Sequence, residues 1–311
     1  MKSVYFVEKN KMQVREFPKA RLVKETDAII KIVRACVCGS DLWWFRGISE
    51  RQPGPVGHEA IGLIEEVGTG VKNFKVGDFV IVPFTHGCGH CPICLAGFEA
   101  NCPNAKDGVN GGYQGEFYRA INTDGALVKI PGQPSDYSDD QLASLTALAD
   151  VMPTGFHAAK AADVHEGDTV VVFGDGAVGL CAVISAKLLG AKRIIAMSRH
   201  EDRAALARDF GATDIIAERG EEAIQKIMSL TNGYGADAAL ECVGTKQAIE
   251  SAFQAVRAGG RVGRVGVPHD VDYNEWIDSL FWKNIQLGGG VASVARWDKE
   301  ILLEAVLSGE I

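Results

Sequence analysis

The feature that most restricts the fold of this sequence is a glycine-rich segment between an apolar run and a helical pattern. Gly174 and Gly176 follow the run VVVF, and Gly179 lies near the start of AVGLCAVISAKLLG. This arrangement predicts a buried strand, a tight turn and a helix whose backbone amides can bind the pyrophosphate of a dinucleotide. The glycine spacing alone also occurs in ordinary turns, so the surrounding sequence decides between the two interpretations.

Strand-like and helix-like segments alternate on both sides of this turn. RIIAMS precedes EDRAALARDFG, and AALECVG precedes TKQAIESAFQAVRAGG. From about residue 150 onward, this alternation predicts a parallel, doubly wound sheet. Residues 1 to about 147 contain short Val-, Ile- and Gly-rich runs separated by Gly and Pro, which predict a barrel-like β domain. The predicted fold class is therefore α/β, with two domains in 311 residues.

Charge and hydropathy exclude several classes of function. The net charge of −8 arises from intermixed acidic and basic residues without a block of Lys or Arg, so we expect no nucleic-acid partner. No apolar run approaches the roughly 18 residues of a membrane span. The N-terminus, MKSVYFVEKN, lacks the apolar core of a signal peptide. We therefore expect no membrane partner and a cytoplasmic location.

Four of the eight cysteines lie within fifteen residues, at Cys88, Cys91, Cys94 and Cys102. The short spacers let a turning backbone direct four thiolates at one tetrahedral ion. This predicts a structural zinc site, because four sulfur ligands leave no open position for a substrate. Buried free cysteines and an iron–sulfur cluster are the alternatives, and nothing else in the chain indicates electron transfer.

A second group of metal-binding side chains is scattered along the sequence. Cys38 in VCGSDL, His58 and Glu59 in GHEA, and Asp150 in LADVMPTG lie near Gly or Pro, where a turn can place a side chain in a cleft. The residues alone leave open whether they bind a catalytic metal or pack inside the protein.

Three features in the same order and spacing resemble the zinc-dependent alcohol dehydrogenases of the medium-chain dehydrogenase/reductase family. They are GHEAIGLIEEVGTGVKNFKVGDFV, the four-cysteine motif and the GxGxxG turn, and the resemblance extends over residues 1–311. It implies a GroES-like catalytic domain in residues 1–150, with a structural zinc lobe at about 86–103, and a Rossmann domain in residues 151–283. Residues 284–311 are expected to return to the catalytic domain. Members of the family continue past this point, so we expect the sequence to be truncated.

The resemblance also implies a catalytic zinc ion with the ligands Cys38, His58 and Asp150. Glu59 matches a carboxylate that, in some members, ligates the metal or exchanges with water. Asp41 matches the acid that orients the ligating histidine by fixing the tautomer of its ring. Ser40 matches the hydroxyl that passes the alcohol proton toward solvent.

Trp43 stands where many members of the family have a histidine at the outer end of the proton relay. An indole nitrogen is only a donor, so Trp43 cannot accept the proton. Water, the coenzyme ribose and another group such as His157 remain as exits. Together with Trp44 and Phe45, Trp43 forms either a wall of an apolar substrate pocket or part of the core.

The strand RIIAMS ends at Ser198, where an NAD-selective fold carries an acid for the ribose hydroxyls. Ser198, Arg199 and His200 instead offer groups suited to a 2′-phosphate, so we predict NADP in preference to NAD. The alternative is that Arg199 is a solvated loop cation. By resemblance, LECVG and RVGRVGVP contact the nicotinamide. The predicted coenzyme contacts are Gly174, Gly176, Ala177, Val178, Gly179, Ser198, Arg199, His200, Arg203, Cys242, Val243, Val265, Gly266 and Val267.

These inferences predict hydride transfer between an alcohol or polyol, or the corresponding aldehyde or ketone, and NADP(H), with the substrate oxygen on the catalytic zinc. We expect two zinc ions per chain and a homodimer or homotetramer, as is usual in the family. One alternative is a zinc-free quinone or enone reductase, against which the cysteine ligands argue. The other is an NADPH-binding sensor or structural zinc protein without turnover. The substrate is not identified by the sequence.

Overall fold

The computed structural model describes residues 1–105, 111–268, 277–293 and 295–311, with the backbone alone at 277–279. It divides the chain into two compact units. The first contains Met1–Asp150 and Ser293–Glu310, and the second contains Val151–Ala292 with Ile311. None of the helices in these described ranges is long and apolar enough to cross a membrane. The cytoplasmic location inferred from the sequence stays a prediction.

The first unit is built mainly from antiparallel strands. Its strands are β1 (Lys2–Glu8), β2 (Lys11–Glu16), β3 (Ala28–Ala35), β4 (Gly54–Pro55), β5 (Ala60–Val67), β6 (Phe79–Val82), β7 (Phe117–Ala120) and β8 (Val128–Ile130). Its helices are α1 (Asp41–Arg46), α2 (Pro92–Leu95), α3 (Thr123–Ala126), α4 (Asp139–Ala147) and α11 (Arg296–Ser308). Short 3-10 helices span Glu99–Asn101, Pro103–Ala105 and Pro134–Asp136.

These strands form two sheets, which correspond to the predicted barrel-like domain. One has the order β2-β1-β4 and the other β7-β3-β5-β6-β8. A bridge between Ser3 and Gly115 links β1 to the segment that precedes β7. The FVIV run of β6 is buried along its whole length, and Val80 and Val82 share one apolar cluster with Ile30 and Ile64. Burial on both faces explains why this strand is continuously apolar and does not alternate.

The second unit contains a parallel sheet with helices between its strands. The strands are β9 (Thr169–Phe173), β10 (Arg193–Met197), β11 (Asp214–Ile216), β12 (Ala236–Glu241), β13 (Val256–Arg264) and β14 (Gln286–Gly289). The helices are α5 (Val151–Ala161), α6 (Ala177–Leu188), α7 (Glu201–Asp209), α8 (Gly220–Leu230), α9 (Lys246–Ala255) and α10 (Ile277–Lys283). The sheet order is β11-β10-β9-β12-β13-β14, and its pairings are parallel. Because β14 pairs with β13, this sheet extends past residue 283.

The central strand β9 explains the VVVF pattern. Val170 and Val172 pack in the apolar cluster on one face of the sheet, and Val171 and Phe173 pack in the cluster on the other face. Successive side chains of a strand point to opposite faces, so a strand covered by helices on both sides must be apolar throughout. The glycine turn therefore directly follows the carboxyl end of an interior strand that is packed on both faces.

Candidate metal and coenzyme sites

Four of the predicted metal-binding side chains lie together in the first unit. The ligand atoms of Cys38, His58, Glu59 and Asp150 all lie within 4.8 Å of one another. Cys38 precedes α1, His58 and Glu59 directly precede β5, and Asp150 follows α4. Glu59 and Asp150 are buried, whereas Cys38 and His58 are half-buried. The fold thus brings three separate segments of the sequence into one cluster.

The two nitrogens of the His58 ring face different partners. Nε2 lies 3.2 Å from Asp150 Oδ2 and 3.9 Å from Glu59 Oε1. Nδ1 lies 3.5 Å from Oδ1 of the buried Asp41, whose Oδ2 accepts a 3.2 Å hydrogen bond from the backbone N–H of Cys38. Asp41 therefore holds both the ring and the Cys38 backbone, and Nε2 is left directed at the cluster.

The cluster is short of positive charge. Burial and the neighbouring Asp150 raise the pKa of Glu59 to about 7. Burial opposes protonation of His58, but hydrogen bonds with Asp150 and Asp41 raise the pKa of its ring to about 12. Glu59 Oε1 is buried and has no hydrogen-bond partner among the described residues. A thiol, an imidazole and two carboxylates form a donor set that zinc accepts, so these residues fit a divalent cation.

Cys36 is a neighbour of this cluster that the sequence analysis missed. Its thiol donates to Glu59 Oε2, and its backbone N–H donates to the Glu59 carbonyl oxygen at 3.3 Å. Burial raises the pKa of the Cys36 thiol, which keeps it a hydrogen-bond donor. The contact fixes one oxygen of Glu59 and leaves Oε1 facing His58. Only the position of Cys36, two residues before Cys38, could have indicated this role.

The start of α1 places the remaining predicted catalytic groups. Ser40 lies at the N-terminus of this helix, two residues after Cys38. Burial raises the pKa of the Cys38 thiol, and the proximity of Ser40 acts to lower it against this larger effect. Trp44 is buried against Phe6, with ring centroids 4.7 Å apart, and Phe45 packs on the same cluster. Trp44 and Phe45 are therefore core residues. Trp43 is half-buried and stays a candidate for substrate contact.

The four cysteines of the second cluster converge on one point. The Sγ atoms of Cys88, Cys91, Cys94 and Cys102 lie within 4.8 Å of one another. Cys91 Sγ is 3.8 Å from Cys102 Sγ, and a tetrahedral zinc ion with bonds of about 2.3 Å separates its sulfur ligands by about 3.8 Å. The cluster therefore has the dimensions of a four-cysteine zinc site.

Local contacts favour the thiolate of Cys88, whereas burial raises the pKa of the Cys94 and Cys102 thiols. Burial opposes ionisation of Cys88, but hydrogen bonds from Asn104 and from the amides of His90 and Cys91 lower the pKa of its thiol to about 6. Gly89 has a φ of +76°, and a Cβ on it would lie 2.8 Å from Gly125 Cα. Both the positive φ and the close approach require glycine at this turn.

A buried ion pair joins the zinc lobe to α11. Glu99 Oε2 lies 3.0 Å from Lys299 Nζ, and each side chain is 3% exposed. Glu99 Oε1 also accepts a 3.1 Å hydrogen bond from the backbone N–H of Arg296. The two partners are 200 residues apart in the chain, so no local pattern could have predicted the contact.

The predicted coenzyme residues gather at the carboxyl edge of the parallel sheet. Gly174 has a φ of +119°, and a Cβ on Gly179 would lie 2.0 Å from Gly174 O, so the turn requires both glycines. A cavity of about 310 Å³ lies beside this turn. The predicted residues among those lining it are Gly174, Arg199, His200, Arg203 and Val243.

The other predicted coenzyme residues lie next to this cavity or along the same edge. Gly176 precedes α6, and Ala177, Val178 and Gly179 form its first turn. Cys242 directly follows β12, and the segment from Val265 to Val267 directly follows β13. The buried Glu241 accepts hydrogen bonds from the amides of Val243 (2.8 Å) and Gly244 (2.6 Å), which fixes the loop after β12. This role of Glu241 was not predicted from the sequence.

Ser198 does not present a free hydroxyl to the cavity. It is 1% exposed, and its Oγ donates to Asp175 Oδ2 at 2.9 Å. No acid stands at the end of β10 in the sequence, but the fold brings Asp175 of the glycine turn to this position. The reason is topological, because β9 and β10 are adjacent parallel strands with Phe173 opposite Met197.

Comparison with known proteins gives the family of this chain. Residues 24–132 match the alcohol dehydrogenase GroES-like domain, and residues 177–299 match the zinc-binding dehydrogenase domain. Zinc-type alcohol dehydrogenase B of Aspergillus flavus is 37% identical over 304 residues, covering 93% of this chain and 69% of the relative. The chain belongs to the zinc-dependent alcohol dehydrogenase family.

Two further alcohol dehydrogenases are similar to this chain in sequence or in structure. The NADP-dependent isopropanol dehydrogenase of Thermoanaerobacter brockii is 36% identical over 298 residues, covering 90% of this chain and 81% of the relative. The solved structure of an alcohol dehydrogenase from Thermus sp. ATN1 matches with a TM-score of 0.90 at 31% identity, covering 100% of this chain and 90% of that one. The predicted α/β fold with a GroES-like and a Rossmann domain is confirmed, as is the prediction of an alcohol dehydrogenase enzyme.

Proposed function

We propose that this alcohol dehydrogenase transfers a hydride between the carbinol carbon of an alcohol or polyol and NADP(H). The supporting observation is the cluster of Cys38, His58 and Asp150, beside a buried Glu59 oxygen that has no partner among the described residues. These three side chains would hold a zinc ion, which supplies Lewis acidity that lowers the pKa of an alcohol and polarises a carbonyl. The four-cysteine cluster would hold a second zinc ion with a structural role.

Each remaining residue of the site has a part that follows from its contacts. Asp41, by facing Nδ1 of His58, selects the tautomer that presents Nε2 to the cation. The Ser40 hydroxyl passes the alcohol proton outward, and because Trp43 cannot accept it, the proton leaves through water, the coenzyme ribose or another group such as His157. Glu59 is held by Cys36 through Oε2, so Oε1 is available to the cation.

The test is coenzyme reduction by the purified, zinc-loaded protein with primary alcohols, secondary alcohols and polyols. We expect turnover that is lost on chelation and restored by zinc. Cys38→Ser should remove turnover and about one zinc ion per chain, because a hydroxyl is a poor zinc ligand. Cys181→Ser is the control, because it replaces a cysteine of α6 that lies outside both clusters. This variant should keep its turnover and its two zinc ions per chain. Wild-type protein without turnover, despite two bound zinc ions, would favour the NADPH-binding sensor.

For the coenzyme, we propose a preference for NADP(H) over NAD(H). The cavity beside the glycine turn is lined by Arg199, Arg203, Arg219 and His200, a set of cationic and imidazole groups suited to a 2′-phosphate. The relative from Thermoanaerobacter brockii, an NADP-dependent enzyme by name, agrees with this choice. Arg199→Ala should raise the KM for NADP more than the KM for NAD; an equal change would indicate that Arg199 is only a solvated cation.

We further propose that the protein is a homodimer or homotetramer. Phe281 and Trp282 of α10 are 73% and 79% exposed, an amount of apolar surface that contact with a second copy would cover. Light scattering after size-exclusion chromatography measures the mass directly. A monomer at micromolar concentration would refute this part of the proposal.

A further inference from the structure

One carboxylate lies among the basic groups of the coenzyme cavity. Asp175 occupies the variable position between Gly174 and Gly176 and lines the cavity itself. Its Oδ2 accepts the hydroxyl of Ser198 at 2.9 Å, and its Oδ1 accepts Nη1 of Arg203 at 3.0 Å. The acid that an NAD-selective fold carries at the end of its second strand is thus supplied here by the glycine turn.

The surroundings keep this carboxylate charged and fixed. Burial acts to raise the pKa of Asp175, but hydrogen bonds from Ser198 and Arg203 hold it below its usual value. The side chain of Asp175 is 15% exposed, so it is shielded from bulk solvent while it still faces the cavity. The Ser198 hydroxyl already donates to Asp175, so it is not a free donor for a phosphate oxygen.

The two coenzymes differ in how the 2′-substituent of their adenosine ribose interacts with a carboxylate. The adenosine 2′-hydroxyl of NAD(H) is a hydrogen-bond donor that a carboxylate accepts. The 2′-phosphate of NADP(H) carries more than one negative charge near neutral pH and has only acceptor oxygens to offer. Asp175 therefore favours NAD(H) and opposes NADP(H), whereas Arg199, Arg203 and Arg219 act in the opposite direction.

We propose that Asp175 is a coenzyme-specificity residue that accepts the 2′-hydroxyl of NAD(H) and limits the preference for NADP(H). This rests on the proposed function, because it takes the cavity at the glycine turn as the adenosine site. If Asp175 has this role, the protein uses both coenzymes. The ratio of its affinities for NADP(H) and NAD(H) then depends on the opposing effects of one carboxylate and several guanidinium groups. Arg203 is shared between Asp175 and an incoming phosphate, which lowers its effect on NADP(H) further.

The test compares the dissociation constants of NADPH and NADH for the full-length, zinc-loaded protein by nicotinamide fluorescence at one ionic strength. Asp175→Asn keeps the size and an acceptor oxygen but removes the charge. We expect tighter NADPH binding and weaker NADH binding, with the ratio of the two constants shifted by about tenfold or more. Asp202→Asn removes the same charge from an exposed position on α7 and should leave the ratio unchanged within about twofold.

A second variant keeps the inference testable if Asp175→Asn does not fold. Asp175→Ser also removes the carboxylate, leaves a smaller polar side chain in the turn, and should shift the ratio in the same direction as Asp175→Asn, toward NADPH. An unchanged ratio in folded Asp175→Asn would overturn the inference and leave Asp175 as a structural part of the turn. Wild-type protein that prefers NADH, with Asp175→Asn shifted toward NADPH, would support the inference while the proposed NADP preference fails. Wild-type protein that binds neither coenzyme would overturn both.

Discussion

The buried ion pair between the zinc lobe and α11 allows a quantitative prediction. In Lys299→Met, Glu99 keeps one hydrogen bond from the Arg296 amide but loses the cation 3.0 Å from its other oxygen. Both side chains are 3% exposed, so water cannot replace the lost partner. Leaving one charge of a buried pair uncompensated costs about 3–5 kcal/mol. At about 2–4 °C per kcal/mol for a unit of this size, the melting temperature of the first unit should fall by about 6–20 °C.

Differential scanning calorimetry and urea titration of zinc-loaded protein measure this effect, together with the rate of zinc release to a colorimetric chelator. Lys11→Met is the matched control, because Lys11 and Glu8 are separated by a similar 2.9 Å while their side chains are 50% and 64% exposed. We expect that variant to melt close to wild type. The double variant Glu99→Gln with Lys299→Met should recover much of the loss, because it removes both buried charges.

Equal decreases of the melting temperature in Lys299→Met and Lys11→Met would show that burial adds nothing to the Glu99–Lys299 pair. A Lys299→Met variant that is less stable than wild type only after zinc has been removed would also contradict the prediction. In that case the metal, and not the ion pair, would hold the lobe against α11.

Three further predictions concern separate parts of the molecule. Cys94→Ser should release about one zinc ion per chain and lower the melting temperature, as measured by metal analysis and calorimetry, and full zinc content would count against the four-cysteine site. Cys36→Ala should lower kcat with zinc retained, because Glu59 Oε2 loses its donor. Cys36→Ser, which restores a donor, should recover kcat. Asp237 accepts hydrogen bonds from Thr169 and Arg257, which lower its pKa against the effect of burial. Its stabilising effect is therefore complete above the unfolded pKa of about 3.8 and is lost as the pH falls through the lower folded value. In Asp237→Asn, the free energy of unfolding should accordingly decrease less steeply than in wild type as the pH falls below about 4, as measured by urea titration at several pH values.

The sequence predicts those parts of the site that depend on short spacing. The CxxCxxC motif and the GxGxxG turn each lie within one short segment of the chain. Their geometry therefore follows from local backbone constraints. Asp150 is 92 residues from its contact with His58. The residues alone left open whether it binds a metal, and the family resemblance implied that it is a ligand. The fold class likewise follows from the alternation of strands and helices.

The rest depends on strand order and on contacts across long stretches of chain. Asp175 meets Ser198 because β10 lies beside β9, which the sequence does not state. Cys36 was missed because a thiol beside a ligand motif has no distinctive spacing. The core positions of Trp44 and Phe45 on α1 depend on Phe6, which lies on the distant strand β1.

The Glu99–Lys299 contact also imposes an order on biosynthesis. The ribosome adds Glu99 to the chain 200 residues before it reaches the lysine that neutralises this carboxylate. At about 5–20 residues per second, the nascent lobe waits for about 10–40 s with this carboxylate unneutralised. The second unit is made in the meantime, although the first was begun earlier. The first unit can therefore complete its packing only after α11 has been translated, although its N-terminal residues are made first.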